Sequence, residues 1–189
     1  MKALVIVDMQ NDFVTGTLGS PEAVSIVPKI VDKLRSVNRS DTVILLTKDT
    51  HSENYLETQE GKHLPVPHCI KDTWGWSICP EIHHEVKHGG YITYSADNVV
   101  KGRVLKNTFG SVELAEILKD ISGRHGLEEV TFVGVCTGIC VISNAILTKA
   151  FLPEVLITVD ASCCACVTPQ SHKTALDAMR LCQINIEGE

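Results

Sequence analysis

The sequence predicts a doubly wound α/β protein, a three-layer α/β/α fold around a mostly parallel sheet of about six strands. Short β-branched apolar runs alternate along the chain with segments of helical periodicity. Several of these runs end abruptly at a charged residue, which is typical of strands that lead into functional loops. The chain has 189 residues and no repeat or linker, so we expect one domain spanning residues 1–189.

The predicted strands are the buried apolar runs Ala3–Val7, Thr42–Thr47, Val100–Leu105, Val130–Val135, Val155–Val159 and Cys182–Ile186. The predicted helices run from Pro21 to about Val37, over Pro80–Val86, from a Ser111 cap to about Ser122, over Gly138–Leu147, and onward from Pro169. Ser or Pro at several of these starts is a typical helix N-terminal signal. The stretch Tyr91–Lys101 is predicted as loop and edge structure.

Composition excludes several classes of function. The net charge is -6 and no basic run occurs, so we expect no nucleic-acid partner. The first apolar run has five residues, too short for a signal segment or a membrane span, and we expect no membrane partner. Eight cysteines in such a chain predict reduced thiols and a cytoplasmic protein. The cluster Cys163, Cys164 and Cys166 is interpreted as structural, and so is His172.

Four reactive groups follow four predicted strands: Asp8, Asp49, Lys106 and the turn that carries Cys140. Because the carboxyl ends of parallel strands meet at one edge of a sheet, these groups are expected to converge. A thiol at the start of a helix faces free N–H groups and the positive end of the helix dipole, which favour a thiolate. Taken singly, three of these residues are more commonly structural than reactive. Asp8 would be a helix cap, Lys106 a surface residue and Cys140 a buried structural thiol.

The long irregular stretch between Asp49 and about Pro80 is rich in metal-ligating side chains. It carries Asp49, His51, Glu60, His63 and His68. An Asp-x-His pair at a strand end can place two ligands on one ion, and later loop residues can complete the shell. The sequence therefore predicts one divalent metal ion, with zinc preferred and manganese or iron as alternatives.

Four motifs together resemble the isochorismatase-like cysteine hydrolases and are most similar to the nicotinamidases. They are VIVDMQNDF, TKDTH…HLPVPHC, VLKNTFGS and VGVCTGICV. The resemblance implies that Asp8 is the general base, that Lys106 completes the triad and that Cys140 is the nucleophile. It also implies a cis peptide before Cys136, with the backbone amides of Cys136 and Cys140 forming the oxyanion hole.

The same resemblance implies a substrate and a metal shell. The metal would bind the pyridine nitrogen of nicotinamide, which the enzyme would convert to nicotinate and ammonia through a thioester. We expect a small-molecule amide substrate, contacts to it from Phe13 and Cys136, and a homo-oligomer. The implied metal ligands are Asp49, His51, Glu60 and His68.

Three features depart from the family pattern. Gly138 replaces the usual Asp of the T-D-x-C turn, which removes a cap, and a Gly138→Asp change is expected to stabilise the turn if residue 138 has negative φ. Leu64 and Pro65 lie where an aromatic often stacks on the ring, and Phe13 with Trp74 or Trp76 could compensate. Glu57 competes with Glu60 as a ligand, and His63 with both.

These departures leave two alternative functions open. One is a hydrolase of the same superfamily that acts on another small amide or an ether without pyridine chemistry. The other is a non-catalytic binding member of the fold.

Overall fold

The structure, a computed structural model, describes residues 1–94 and 102–189. Within these residues the chain forms one parallel sheet with helices on both faces, which confirms the predicted fold class. Its strands are β1 (Lys2–Val7), β2 (Thr42–Asp49), β3 (Ile92–Thr93), β4 (Arg103–Lys106), β5 (Glu129–Val135), β6 (Leu156–Ala165) and β7 (Asn185–Glu187).

The α-helices are α1 (Asn11–Val14), α2 (Pro21–Ser36), α3 (Gln59–His63), α4 (Pro80–His88), α5 (Val112–His125), α6 (Ile142–Phe151) and α7 (Pro169–Leu181). A 3₁₀ turn, Tyr55–Glu57, precedes α3, and a π-helical turn, Thr137–Val141, leads directly into α6. None of the helices in the described ranges is both long and apolar enough to cross a membrane.

The strand order is β3-β2-β1-β5-β6-β7, and β4 pairs with the second half of β2 where β3 has paired with the first. Successive strands therefore lie further from β1 on one side of the sheet, and the chain then crosses over to place β5 on the other side of β1. The boundary between β1 and β5 is the topological switch point, where open α/β sheets form a crevice at the carboxyl ends of their strands.

The core lies on both faces of the sheet. Along β1, Val5 and Val7 pack with the layer that includes α5 to α7, whereas Leu4 and Ile6 pack with the layer that includes α2 and α4. A strand covered on both faces needs apolar residues throughout rather than in alternation. This is why the strands appear in the sequence as continuous apolar runs.

Several predicted boundaries were wrong. Strand β6 continues to Ala165 through the segment that was predicted as a turn, because its buried cysteines continue the core packing. The short strand β3 lies at the sheet edge within the stretch that was predicted as loop and edge structure, and β7 begins three residues later than the predicted run. The predicted third strand is observed as β4 from Arg103. The start of that prediction and the later part of the predicted Tyr91–Lys101 loop fall on residues 95–101, which lie outside the described residues.

Candidate active site

Asp8, Lys106 and Cys140 meet at the switch point. Asp8 follows β1, Lys106 is the last residue of β4, and Cys140 lies in the π-helical turn after β5. The Lys106 ammonium Nζ lies 2.7 Å from Asp8 Oδ2 and 3.6 Å from Cys140 Sγ. All three side chains are buried. The structure thus brings together the three residues that the sequence predicts as catalytic.

The Asp8 carboxylate is held between two partners. Its Oδ1 accepts a hydrogen bond of 2.7 Å from Thr47 Oγ1, and its Oδ2 contacts the Lys106 ammonium. Burial raises the pKa of Asp8, and the opposing effects of Lys106 and Thr47 do not cancel it. A buried carboxylate with a raised pKa is suited to take up and return a proton.

Lys106 also connects this group to the residues predicted to bind metal. Its Nζ lies 3.2 Å from Asp49 Oδ1, because β2 and β4 pair in parallel with Asp49 opposite Lys106. Burial disfavours the ammonium, but the charges of Asp8 and Asp49, and of Cys140 when it is ionised, outweigh burial and raise the pKa of Lys106. Lys106 therefore stays positively charged between two carboxylates.

The Cys140 thiol differs from the expectation of a thiolate. Burial raises the pKa of Cys140 well above its ordinary value, the Asp8 carboxylate raises it further, and Lys106 only partly opposes this. The helix-start argument failed because the sulfur is enclosed by protein beside an anion. The raised pKa favours the neutral thiol, so formation of a thiolate requires a base to remove the proton.

The turn that carries Cys140 is fixed by backbone and side-chain hydrogen bonds. The N–H groups of Ile139 and Val141 both donate to the Cys136 carbonyl, and Asn144 Nδ2 donates to the Cys140 carbonyl over 2.8 Å. The peptide bond between Val135 and Cys136 is cis. Among the described residues, the Cys136 N–H has no backbone carbonyl partner outside the regular helices and strands.

The four residues implied as metal ligands form one compact group, here called the ligand group. One ligand atom from each of them lies within 4.8 Å of the others. His51 Nε2 and His68 Nε2 lie 3.0 and 3.4 Å from Asp49 Oδ2. Both nitrogens lie 3.8 Å from Glu60 Oε1.

The chemistry of the ligand group fits a divalent metal ion. Two imidazole nitrogens with two carboxylate oxygens form a mixed set that suits zinc, manganese or iron. His68 Nδ1 lies 2.8 Å from the Val66 carbonyl, a contact that orients the ring with Nε2 toward the group. Glu57 is exposed, and His63 is exposed with its Nδ1 near the Gln59 carbonyl, so neither joins the group.

A cavity of about 420 Å³ joins the two groups of residues. Cys140 and Cys136 line it on one side, and Asp49, Glu60 and His68 line it on another. Phe13 also lines it, with its ring centroid 5.4 Å from that of His68.

Neither tryptophan takes the place of the stacking aromatic. Trp74 is 62% exposed and Trp76 donates its indole N–H to Thr50 Oγ1, and neither lines the cavity. Of the three aromatic residues suggested from the sequence, Phe13 is therefore the one that lines the cavity. Leu64 lies in the cavity wall instead of an aromatic.

The sequence interpretation missed four residues that shape the site. Gln10 and Thr47 hydrogen-bond to Asp49 and Asp8, respectively. Tyr55 is fully buried with its ring centroid 4.6 Å from that of His51, and Asn144 holds the turn that carries Cys140. Only Asn144 had a local signal, because it lies four residues after Cys140 on the same helical face.

Comparisons with known proteins agree with this geometry. The nicotinamidase of Saccharomyces cerevisiae is 28% identical over 184 residues, covering 77% of this chain and 80% of that protein. The pyrazinamidase of Pyrococcus horikoshii, solved in complex with zinc, superposes with a TM-score of 0.74 at 26% identity, covering 98% and 97% of the two chains. The pyrazinamidase/nicotinamidase of Streptococcus mutans shares the fold, with a TM-score of 0.80 at 23% identity over 98% and 99%.

The family assignment rests on a family model that matches nearly the whole chain. The sequence model of the isochorismatase domain matches residues 2–187, from the first residue of β1 to the last residue of β7. The match includes every residue of the triad and of the ligand group. The resemblance found in the four motifs is therefore confirmed, and the chain belongs to the isochorismatase family.

Proposed function

We propose that the protein is a metal-containing cysteine amidohydrolase that converts nicotinamide to nicotinate and ammonia. One observation carries the proposal: a single cavity is lined by Cys140, with Asp8 and Lys106 behind it, and by Asp49, Glu60 and His68 of the four-residue ligand group. The similarity to curated nicotinamidases supports the choice of substrate. A flat amide with a ring nitrogen matches a cavity that has a nucleophile and a metal-binding group on its walls.

Substrate binding follows from the lining of the cavity. The carboxamide lies against Cys140, the ring nitrogen faces the ligand group and Phe13 packs against the ring. Asp49, His51, Glu60 and His68 would hold a divalent metal ion, which would supply Lewis-acid chemistry toward the ring nitrogen. This orientation presents the carboxamide carbon to the thiol, which is the main contribution of positioning to such a reaction.

The first chemical step is proton transfer from the Cys140 thiol to Asp8. The resulting thiolate attacks the carboxamide carbon, and the carbonyl oxygen becomes an oxyanion. We place the backbone N–H groups of Cys136 and Cys140 at this oxygen, where they stabilise the charge as it develops. Lys106 stays charged throughout and stabilises the anionic form of its neighbours.

The tetrahedral intermediate then collapses to a thioester. Asp8 gives its proton to the departing nitrogen, so that ammonia leaves rather than an amide anion. In the second half of the reaction, Asp8 takes a proton from a water molecule that attacks the thioester carbon. Nicotinate is released, the thiol is restored and Asp8 returns to its starting state.

An ammonia-release assay tests this proposal. Purified protein is incubated with nicotinamide and with a small panel of other amides, with and without added Zn²⁺, Mn²⁺ and Fe²⁺. We expect ammonia from nicotinamide and much less from carboxamides that lack a ring nitrogen. Release from aliphatic amides alone, independent of metal, would contradict the pyridine substrate while keeping the cysteine mechanism.

A further inference from the structure

Exposed apolar side chains are concentrated at the mouth of the catalytic cavity. Four large apolar residues line the cavity and also face solvent, with exposures of 38%, 44%, 36% and 67% for Leu64, Phe109, Ile139 and Val167. These four residues are called the apolar rim. They come from four separate segments of the chain: the end of α3, the loop after β4, the π-helical turn and the residues after β6.

The rim contrasts with the inner part of the cavity. Asp49, Glu60, His68 and Cys140 supply reactive or charged groups there, whereas the rim offers only apolar surface. Solvent-exposed apolar groups that cluster around one opening mark a binding surface rather than scattered surface residues. The inner residues fit the polar end of a ligand, and the rim fits an apolar part of the same ligand.

The cavity is also large for a single-ring amide. Its volume of about 420 Å³ falls in the range of roughly 300–1,000 Å³ that accommodates drug-sized ligands. With the carboxamide at Cys140 and the ring nitrogen at the ligand group, one pyridine ring leaves the rim uncovered. The rim is then free to contact a substituent on that ring.

We propose that the apolar rim is a specificity subsite, and that the preferred substrates are pyridine-3-carboxamides with an apolar substituent on ring carbon 5. The proposal rests on the proposed function above, because it uses the same orientation of the ring. Carbon 5 is meta both to the ring nitrogen and to the carbon that bears the carboxamide. A substituent there points away from both anchored groups, and the proposal places it against the apolar rim.

The first test compares nicotinamide with 5-propylnicotinamide by ammonia release. An added alkyl group in a hydrophobic pocket changes kcat/KM by about 10- to 200-fold, so we expect the propyl compound to be favoured by about tenfold or more. The gain should lie in KM, because the rim does not touch the reacting atoms. Equal or lower kcat/KM for the propyl compound, with nicotinamide turned over normally, would overturn the proposal.

Rim variants identify the residues responsible. Leu64→Asn and Val167→Asn should each remove most of the propyl preference. Val167→Asn should also change kcat/KM for nicotinamide by less than about twofold. The matched controls are Leu181→Asn and Val112→Asn, which alter exposed apolar residues outside the cavity and should preserve the preference. Val167 follows β6, whereas Leu64 lies between the ligand residues Glu60 and His68 in the sequence. The Val167 variant therefore separates loss of the rim contact from a disturbance of the loop that carries the ligand group. A preference that survives both rim variants would contradict the assignment.

A binding measurement separates this proposal from the proposed reaction. Calorimetry on the Cys140→Ala protein gives the Kd of both amides without turnover, and tighter binding of the propyl compound supports the subsite. If the wild-type protein releases no ammonia from nicotinamide while this difference in Kd holds, the reaction is wrong and the subsite stands. Equal Kd values would overturn the subsite even if nicotinamide is hydrolysed.

Discussion

The side-chain amide of Gln10 pairs in both directions with the main chain of Asp49. Gln10 Nε2 donates to the Asp49 carbonyl over 2.8 Å, and Gln10 Oε1 accepts from the Asp49 N–H over 2.7 Å. The same Nε2 also donates to the Trp76 carbonyl over 3.0 Å. Gln10 therefore fixes the end of β2, from which the Asp49 carboxylate reaches both Lys106 and the histidines of the ligand group.

Replacement of Gln10 by leucine should destabilise the protein and loosen the ligand group. The change leaves the Asp49 N–H and carbonyl buried without partners, which costs about 1–3 kcal/mol in the free energy of unfolding. Urea unfolding of metal-free protein measures this cost, and elemental analysis measures metal retention. Gln170→Leu, on the exposed face of α7, is the control and should stay within about 0.5 kcal/mol of wild type. Equal effects of the two substitutions would show that Gln10 does not position Asp49.

The proposed triad separates the roles of two cavity cysteines. Cys140→Ala should abolish ammonia release while the protein stays folded, because no other group replaces the nucleophile. Asp8→Asn should lower kcat by about 10²–10⁴-fold, which is the usual contribution of a positioned base. Cys136→Ala should keep substantial activity, because only its backbone amide is assigned a role. An active Cys140→Ala protein with an inactive Cys136→Ala protein would reverse the nucleophile assignment.

The acid limb of the pH profile should report Asp8. A protonated Asp8 cannot accept the thiol proton, so kcat/KM falls as pH falls through the pKa of Asp8, which burial raises above its ordinary value. Thr47→Val removes the hydrogen bond to Oδ1 that lowers this pKa, so the acid limb should move to higher pH. Thr158→Val, at another buried threonine, is the control and should leave the limb in place. An unchanged acid limb in Thr47→Val would assign it to another group.

Metal content should follow the ligand group. Elemental analysis should find about one divalent transition metal per chain, as expected for one mixed nitrogen and oxygen site. His51→Ala should lower occupancy and raise KM for pyridine carboxamides more than for amides without a ring nitrogen. His63→Ala changes an exposed histidine of the same loop outside the group and serves as the control. Full metal content in the His51 variant would exclude it as a ligand.

Gly138→Asp should destabilise the protein, contrary to the expectation from the sequence. The backbone at Gly138 is not left-handed, but residue 138 is the second residue of the π-helical turn and not its cap. A Cβ there would lie 3.3 Å from Cys166 Sγ, whose sulfur also accepts from the Gly138 N–H. We expect a lower Tm for Gly138→Asp and a smaller loss in a Cys166→Ala background. A gain in Tm for the single variant would show that Cys166 moves aside easily.

Local signals in the sequence were sufficient for the fold and for the candidate residues. Apolar runs covered on both faces identify strands of a parallel sheet, and the residue that ends each run lies at the same edge as the others. Asp8, Asp49 and Lys106 could therefore be selected without any knowledge of distances. The bounds of a short strand such as β3 could not be predicted from local sequence. Such a strand is stabilised by its pairing with β2 and not by its own composition.

The sequence by itself determined the fold class, the reactive groups at the strand ends and a loop rich in metal-ligating residues. Only the tertiary structure decided that Glu60 rather than Glu57 or His63 lies with His51, and that burial beside Asp8 raises the pKa of Cys140. The physical reason is that ligation, burial and pKa depend on distances between residues far apart in the chain. Gln10 and Asp49, 39 residues apart, are in hydrogen-bonding contact only because β1 and β2 pair in parallel.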